Sequence, residues 1–144
     1  MRAAEIMQSD LVSCPPGMTV AEVARTMSER GVGACLVMDG THLAGIFTER
    51  DLLRLTASGQ DVRARPVSEA MTSTVTTAPP DSDLLWVADT MRRLGVRHLP
   101  VASEDGMVVG IVSLRDLFAA AEAVLRLDPR GAEAAREVLA AAGR

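Results

Sequence analysis

Gly45-Ile46-Phe47-Thr48-Glu49-Arg50-Asp51-Leu52 returns further along the chain as Gly110-Ile111-Val112-Ser113-Leu114-Arg115-Asp116-Leu117. The flanks repeat with it. Residues 5–37 come back at 69–101, with Met7/Met71, Pro15/Pro79, Pro16/Pro80, Val23/Val87, Met27/Met91, Gly31/Gly95 and Val37/Val101 identical. Self-similarity over most of a chain sets the architecture before any local feature does. It predicts two similar units related by a pseudo-twofold axis, so that a site in one has a counterpart in the other.

Within each unit the reading is the same. A short extended stretch (Leu11-Val12-Ser13; Val75-Thr76-Thr77) runs up to a Pro-Pro pair, and proline lacks the donor that a strand ladder needs. A helix follows. Thr19 with Glu22 forms a capping-box pattern and Asp83 is the matching N-cap. Val20, Val23, Ala24 and Met27, and likewise Leu84, Val87, Ala88 and Met91, recur at helical spacing and predict one buried stripe per helix. Gly31 and Gly95 then suit helix ends, where the left-handed conformation is cheap for glycine.

Two strands are expected next, 34–38 with 43–47 and 98–102 with 107–112, joined through Asp39-Gly40 and Asp105-Gly106 as hairpins. A second helix starts at Thr48 or Ser113. The fold class is therefore α/β (α+β), with two tandem β-α-β-β-α units and a right-handed crossover between the first two strands of each. Residues 1–60 read as unit 1, 61–127 as unit 2 and 128–144 as a C-terminal helical tail after a break at Asp128-Pro129. Residues 57–65 form a polar linker, and 4–7 and 68–71 are matching short helical lead-ins.

The repeated tract carries the chemistry. A hydroxyl residue stands where a strand gives way to a helix, and an aspartate follows three residues later. A helix N-terminus presents free N–H groups and partial positive charge, which suit phosphate. Ligands in α/β folds sit beyond the carboxyl ends of parallel strands. An aspartate can accept two hydrogen bonds from the cis diol of a ribose. Thr48/Asp51 and Ser113/Asp116 thus read as two ribose-phosphate clamps, although the same spacing is also a capping pattern. The copies are unequal. Arg97 and His98 stand where unit 1 has Gly33 and Ala34. A guanidinium can bind phosphate through a bidentate fork, so the cleft lined by Arg97 and His98 is expected to favour a charged ligand.

Composition excludes several classes. The net charge is −4, all cations are Arg, and the aromatics are Trp86, Phe47 and Phe118. That offers neither a basic patch nor stacking platforms for a nucleic-acid polymer. No apolar run approaches the roughly 18 residues of a membrane span, and the first residues lead into no signal-peptide core. A cytoplasmic protein with no membrane partner is expected, and the all-Arg usage suggests a bacterial source. Cys14 and Cys35 show neither metal-ligand spacing nor a disulfide framework, and read as buried free thiols, each on a predicted strand of the same unit.

The repeat resembles the cystathionine-β-synthase (CBS) domain, and residues 5–125 resemble a stand-alone CBS pair. The resemblance implies up to two adenosine-type ligands in clefts between the units: AMP, ADP, ATP, S-adenosylmethionine, NAD or cyclic di-AMP. It implies that Thr48, Asp51, Ser113 and Asp116 hold phosphate and ribose. Ser13 and Thr77 match base or sugar contacts, and His98, Leu99, Pro100 and Val101 match the wall of the base pocket. Arg50 and Arg115 flank the aspartates as further candidates, with a solvated salt bridge as the plainer role. Trp86 lies off the buried stripe of its helix. Related pairs dimerise through such helices, which makes Trp86 a candidate homodimer contact unless the C-terminal helix covers it.

The reading that follows is a sensor module with no required cofactor, whose regulatory ligand is an adenosine nucleotide and whose output passes to an effector protein in trans. The alternative is a ligand-independent interaction or stress-protection module with vestigial clefts. An enzyme is not expected. His42 and His98 occupy unrelated positions, neither cysteine has an evident base, and no metal motif is present.

Overall fold

The structure is a computed structural model and describes residues 1–127 and 131–143. The expected break at Asp128-Pro129 lies outside the described residues. Contacts divide the chain into two bodies. The first is Leu11–Val75. The second joins Met1–Asp10 to the chain from Thr76 onward. The first ten residues are thus grouped with the second repeat, not with the one they precede.

In the first body, β1 (Ser13–Cys14) leads to helix α2 (Val20–Arg30), after which β2 (Ala34–Asp39) and β3 (His42–Thr48) form a hairpin running into α3 (Glu49–Ala57); α1 (Ala3–Ile6) belongs to the other body. The sheet order is β1-β2-β3. The β1–β2 pair is parallel, with Ser13 opposite Leu36 and Cys14 opposite Val37, and β2–β3 is antiparallel from Ala34↔Thr48 to Asp39↔His42. Strand β1 stops at Cys14 because Pro15 and Pro16 follow. Its extended run is thus two residues, with Leu11 and Val12 outside it.

Helix α2 shows how local sequence builds an element. The Thr19 hydroxyl accepts from the Glu22 N–H at 3.3 Å, and the Glu22 carboxylate accepts from the Thr19 N–H at 2.9 Å. The two preceding first-turn donors, Val20 and Ala21, bond to the carbonyls of Arg65 and Val62 at 2.9 Å each. The polar linker therefore serves as a second cap, satisfying donors that have no intrahelical partner. Gly31 closes the helix at φ 64°, ψ 34°. Val20, Val23 and Met27 are buried, joining Val37, Phe47 and Val67 in this body's core.

The second body repeats the plan with α1 (Ala3–Ile6), α4 (Leu84–Leu94), β4 (His98–Ala102), β5 (Val108–Ser113), α5 (Leu114–Leu127) and α6 (Ala132–Ala142). Asp83 caps α4 by accepting from the Trp86 N–H at 2.8 Å, and Gly95 ends it at φ 67°. The expected strand at 75–77 is instead a single parallel bridge, Ala78↔Val101. Pro79 and Pro80 end the pairing directly after it. The β4–β5 hairpin runs from His98↔Ser113 to Ala102↔Val108. On α6, Ala135 and Val138 are buried, with Leu139 and Ala142 half-buried on the same stripe, and the helix packs against α4 and α5. Trp86 stays 41% exposed.

The lead-ins use one set of bonds twice. Ala3 and Ala4 donate to the carbonyls of Ser82 and Pro80, and Val67 and Ser68 donate to those of Met18 and Pro16. Gln8 then bridges Ile111 and Thr72 bridges Ile46, each antiparallel and each with two backbone hydrogen bonds of 2.8–3.0 Å. The second lead-in is a 3-10 turn over Val67–Glu69, one residue earlier than the expected helix. Gly45 and Gly110 are required beneath the lead-ins. A Cβ on Gly110 would stand 2.6 Å from Met7 Cγ, and one on Gly45 2.8 Å from both Met71 Cγ and the Thr72 carbonyl oxygen.

Candidate functional site: two hydroxyl–aspartate helix starts

In the first body, β3 passes straight into α3 at Thr48, the N-cap residue. Asp51 Oδ2 accepts from the Thr48 N–H at 2.9 Å and from the Thr48 hydroxyl at 3.0 Å, while the Thr48 hydroxyl accepts from the Asp51 N–H at 3.4 Å. The second body repeats this more tightly. Asp116 Oδ2 accepts from the Ser113 N–H at 2.7 Å and from its hydroxyl at 2.6 Å, and the Ser113 hydroxyl accepts from the Asp116 N–H at 3.2 Å. Both motifs are thus reciprocal capping boxes, and both acids are half-buried. Capping consumes one carboxylate oxygen in each, and the two differ at the other. Asp51 Oδ1 has the exposed Arg54 guanidinium 4.0 Å away, an ion pair of little energetic weight. Asp116 Oδ1 accepts from the Gln8 side-chain amide at 3.0 Å.

The β4–β5 register sets His98 opposite Ser113, and the Arg97 carbonyl accepts from the Leu114 N–H at 2.9 Å. The second body therefore gathers Arg97, His98, Ser113 and Asp116 around the start of α5, with Arg97 exposed and His98 half-buried. In the first body Gly33 and Ala34 hold the same places: the Gly33 carbonyl accepts from Glu49 N–H at 3.0 Å, and Ala34 lies opposite Thr48. Arg97 and His98 thus have no counterpart at the first helix start.

Ser13 is exposed on β1 opposite Leu36, two positions along β2 from Ala34. Thr77 is half-buried beside Ala78, whose N–H donates to the Pro100 carbonyl at 2.8 Å, and Pro100 itself is buried in β4. Arg50 and Arg115 are exposed on the first turns of α3 and α5. Gln8 was not legible as a neighbour of Asp116, from which 108 residues separate it. Its one sequence signal is a mismatch in the repeat, Gln8 against Thr72.

Cys14 and Cys35 are free and buried, at 4% and 0% exposure. The hydrogen bond Cys35 makes with Cys14, together with burial, pushes the Cys35 thiol well above the usual thiol range. Among the described residues no group of three or more His, Cys, Asp or Glu side chains could hold a metal ion, and no helix is long and apolar enough to cross a membrane.

The model of the CBS domain family matches residues 3–58 and 67–123. A 17.7 kDa protein of Acidianus ambivalens is 35% identical over 117 residues, covering 81% of this chain and 70% of its own. The CBS domain-containing protein YhcV of Bacillus subtilis is 34% identical over 114 residues, covering 78% and 80%. Among solved structures, a CBS domain protein from Pyrobaculum aerophilum complexed with AMP has a TM-score of 0.76 at 29% identity, covering 81% of this chain and 90% of that one. A CBS-domain protein of Agrobacterium tumefaciens has a TM-score of 0.74 at 31% identity, covering 80% and 89%. With two matched copies, this repeat chain belongs to the CBS domain family.

Proposed function

We propose that the protein is a regulatory module that binds adenosine-type nucleotides and signals to a partner protein in trans. The observation that carries this reading is the duplicated helix start. In each body a hydroxyl and an aspartate cap a helix that issues directly from a strand, and each aspartate keeps an oxygen outside the capping box. N–H groups and a hydroxyl suit a phosphate, and a carboxylate oxygen suits a ribose. Thr48, Asp51, Ser113 and Asp116 are the clamps. Arg97 and His98 add phosphate affinity at the second, and Ser13, Thr77 and Pro100 line the base and sugar positions, with Arg50 and Arg115 at the helix starts. The AMP complex of the Pyrobaculum aerophilum relative supports this ligand class. No catalytic step and no required cofactor enter the proposal. Homodimerisation is part of it, supported by the exposed Trp86 and by Leu85 beside it.

Titration calorimetry with AMP, ADP, ATP, S-adenosylmethionine, NAD and cyclic di-AMP tests the proposal. Wild-type protein is expected to bind at least one with a micromolar constant, about −8 kcal/mol. The Asp51→Ala/Asp116→Ala variant, checked for folding by circular dichroism, is expected to lose that binding. Silence of the folded wild type toward the whole panel overturns the proposal. It would favour the interaction-module reading, to which one observation already points: capping alone accounts for one oxygen of each aspartate.

A further inference from the structure

The two aspartates differ in the acceptor capacity they have left. An ionised carboxylate offers about four lone-pair sites. At Asp51 the capping box uses two, through the Thr48 N–H and hydroxyl, and Arg54 at 4.0 Å is outside hydrogen-bond reach. About two sites are left, enough for both hydroxyls of a cis diol. At Asp116 the capping box again uses two, and the Gln8 amide takes another on Oδ1. About one site is left, enough for a single hydroxyl.

Gln8 is well placed to hold its share. Its backbone is tied to Ile111 by two hydrogen bonds, 2.8 and 3.0 Å, so its amide is tethered at the carboxylate. A bond to an ionised acceptor is also stronger than a neutral one. In the other body the equivalent backbone bridge is made by Thr72, whose side chain is shorter and carries a hydroxyl in place of an amide.

We infer that Gln8 sets a difference in sugar recognition: Asp51 selects the intact 2′,3′-diol of a ribonucleotide, whereas Asp116 binds one sugar hydroxyl and accepts 2′-deoxyribonucleotides almost as well. The inference rests on the nucleotide-binding reading above and deepens it.

The test compares each nucleotide with its 2′-deoxy form, AMP against 2′-deoxy-AMP and ATP against 2′-deoxy-ATP, by calorimetry on full-length protein. Asp116→Ala leaves the Asp51 clamp, and Asp51→Ala leaves the Asp116 clamp. The ratio of affinities is internal to each variant, so a change in stability does not enter it. The Asp51 clamp is expected to prefer the ribonucleotide by about tenfold or more, the worth of one hydrogen bond to a charged group. The Asp116 clamp is expected to discriminate by no more than about threefold, half a decade below that. Adding Gln8→Thr, the residue its counterpart already uses, or Gln8→Met, which keeps length without the donor, should raise the Asp116 ratio to that of Asp51. Equal ratios in the two single variants overturn the inference while leaving nucleotide binding intact, as does a ratio that neither Gln8 substitution moves. Silence of folded wild-type protein toward AMP and ATP overturns this inference, and silence toward the whole panel overturns the nucleotide reading with it.

Discussion

At the scale of single residues, tight approach and burial decide most outcomes. Gly110 and Gly45 lie beneath methionines, yet their neighbours differ in kind. The atoms nearest a Cβ on Gly110 belong to the Met7 side chain, whereas those nearest one on Gly45 include the Thr72 backbone carbonyl. Gly110→Ala should cost about 1–3 kcal/mol of stability, the usual range for overpacking. Met7→Ala in the same chain should restore part of it in urea unfolding. Gly45→Ala should cost at least as much, and Met71→Ala should not rescue it, since the Thr72 carbonyl remains. Rescue of both would mean that the methionines alone set the spacing. The cysteines offer a second check. The Cys35 thiol is raised by its bond to Cys14 and by burial, so little thiolate forms near neutral pH. The same bond lowers the Cys14 thiol, so burial alone shields Cys14. Neither cysteine should react with a thiol reagent at pH 7.5 until denaturant is added; rapid labelling of native protein would contradict this packing.

At the scale of elements, α6 has no counterpart in the first body, and the repeat cannot foretell where it lies. Its stripe of Ala135, Val138 and Leu139 joins the core shared by Ala88, Met91, Ala120 and Ala121. Val138→Ala removes two methyl equivalents from a site 5% exposed and should cost about 1.5–2.5 kcal/mol. Met91→Ala, deeper in the same core, should cost about 2–5 kcal/mol. A Val138→Ala protein as stable as wild type would mean that α6 only rests on the body without contributing to it. The capping boxes matter at the same scale. Removing the Thr48 hydroxyl should cost about 1 kcal/mol through the cap alone. Binding studies on these positions therefore need stability measured beside affinity.

At the scale of the whole molecule, ligand and oligomer are linked to stability by mass action. A nucleotide at a hundred times its dissociation constant should stabilise the fold by about 2.7 kcal/mol. That appears as a rise in Tm, and it should vanish in the Asp51→Ala/Asp116→Ala protein. Trp86, 41% exposed with α6 in place, is the proposed dimer contact. Trp86→Ala should shift a dimer toward monomer in sedimentation, and an unchanged species would remove Trp86 from that role.

Much of this was legible in the residues themselves because it depends on neighbours in sequence. Helix N-caps at Thr19, Thr48 and Asp83, left-handed ends at Gly31 and Gly95, and strand stops at the Pro-Pro pairs are local devices, with partners within about one helical turn. The repeat extended them to a two-unit plan. Strand lengths were less legible, since residues 75–77 form no strand and only Ala78 after them makes a bridge, where two residues pair in the first body. Tertiary structure alone decided what depends on distant partners. It put the first lead-in on the second repeat, because Ala3 and Ala4 find their acceptors at Ser82 and Pro80. It gave Asp116 the Gln8 amide that Asp51 lacks, and no pattern within either repeat encodes a contact between residues 108 apart.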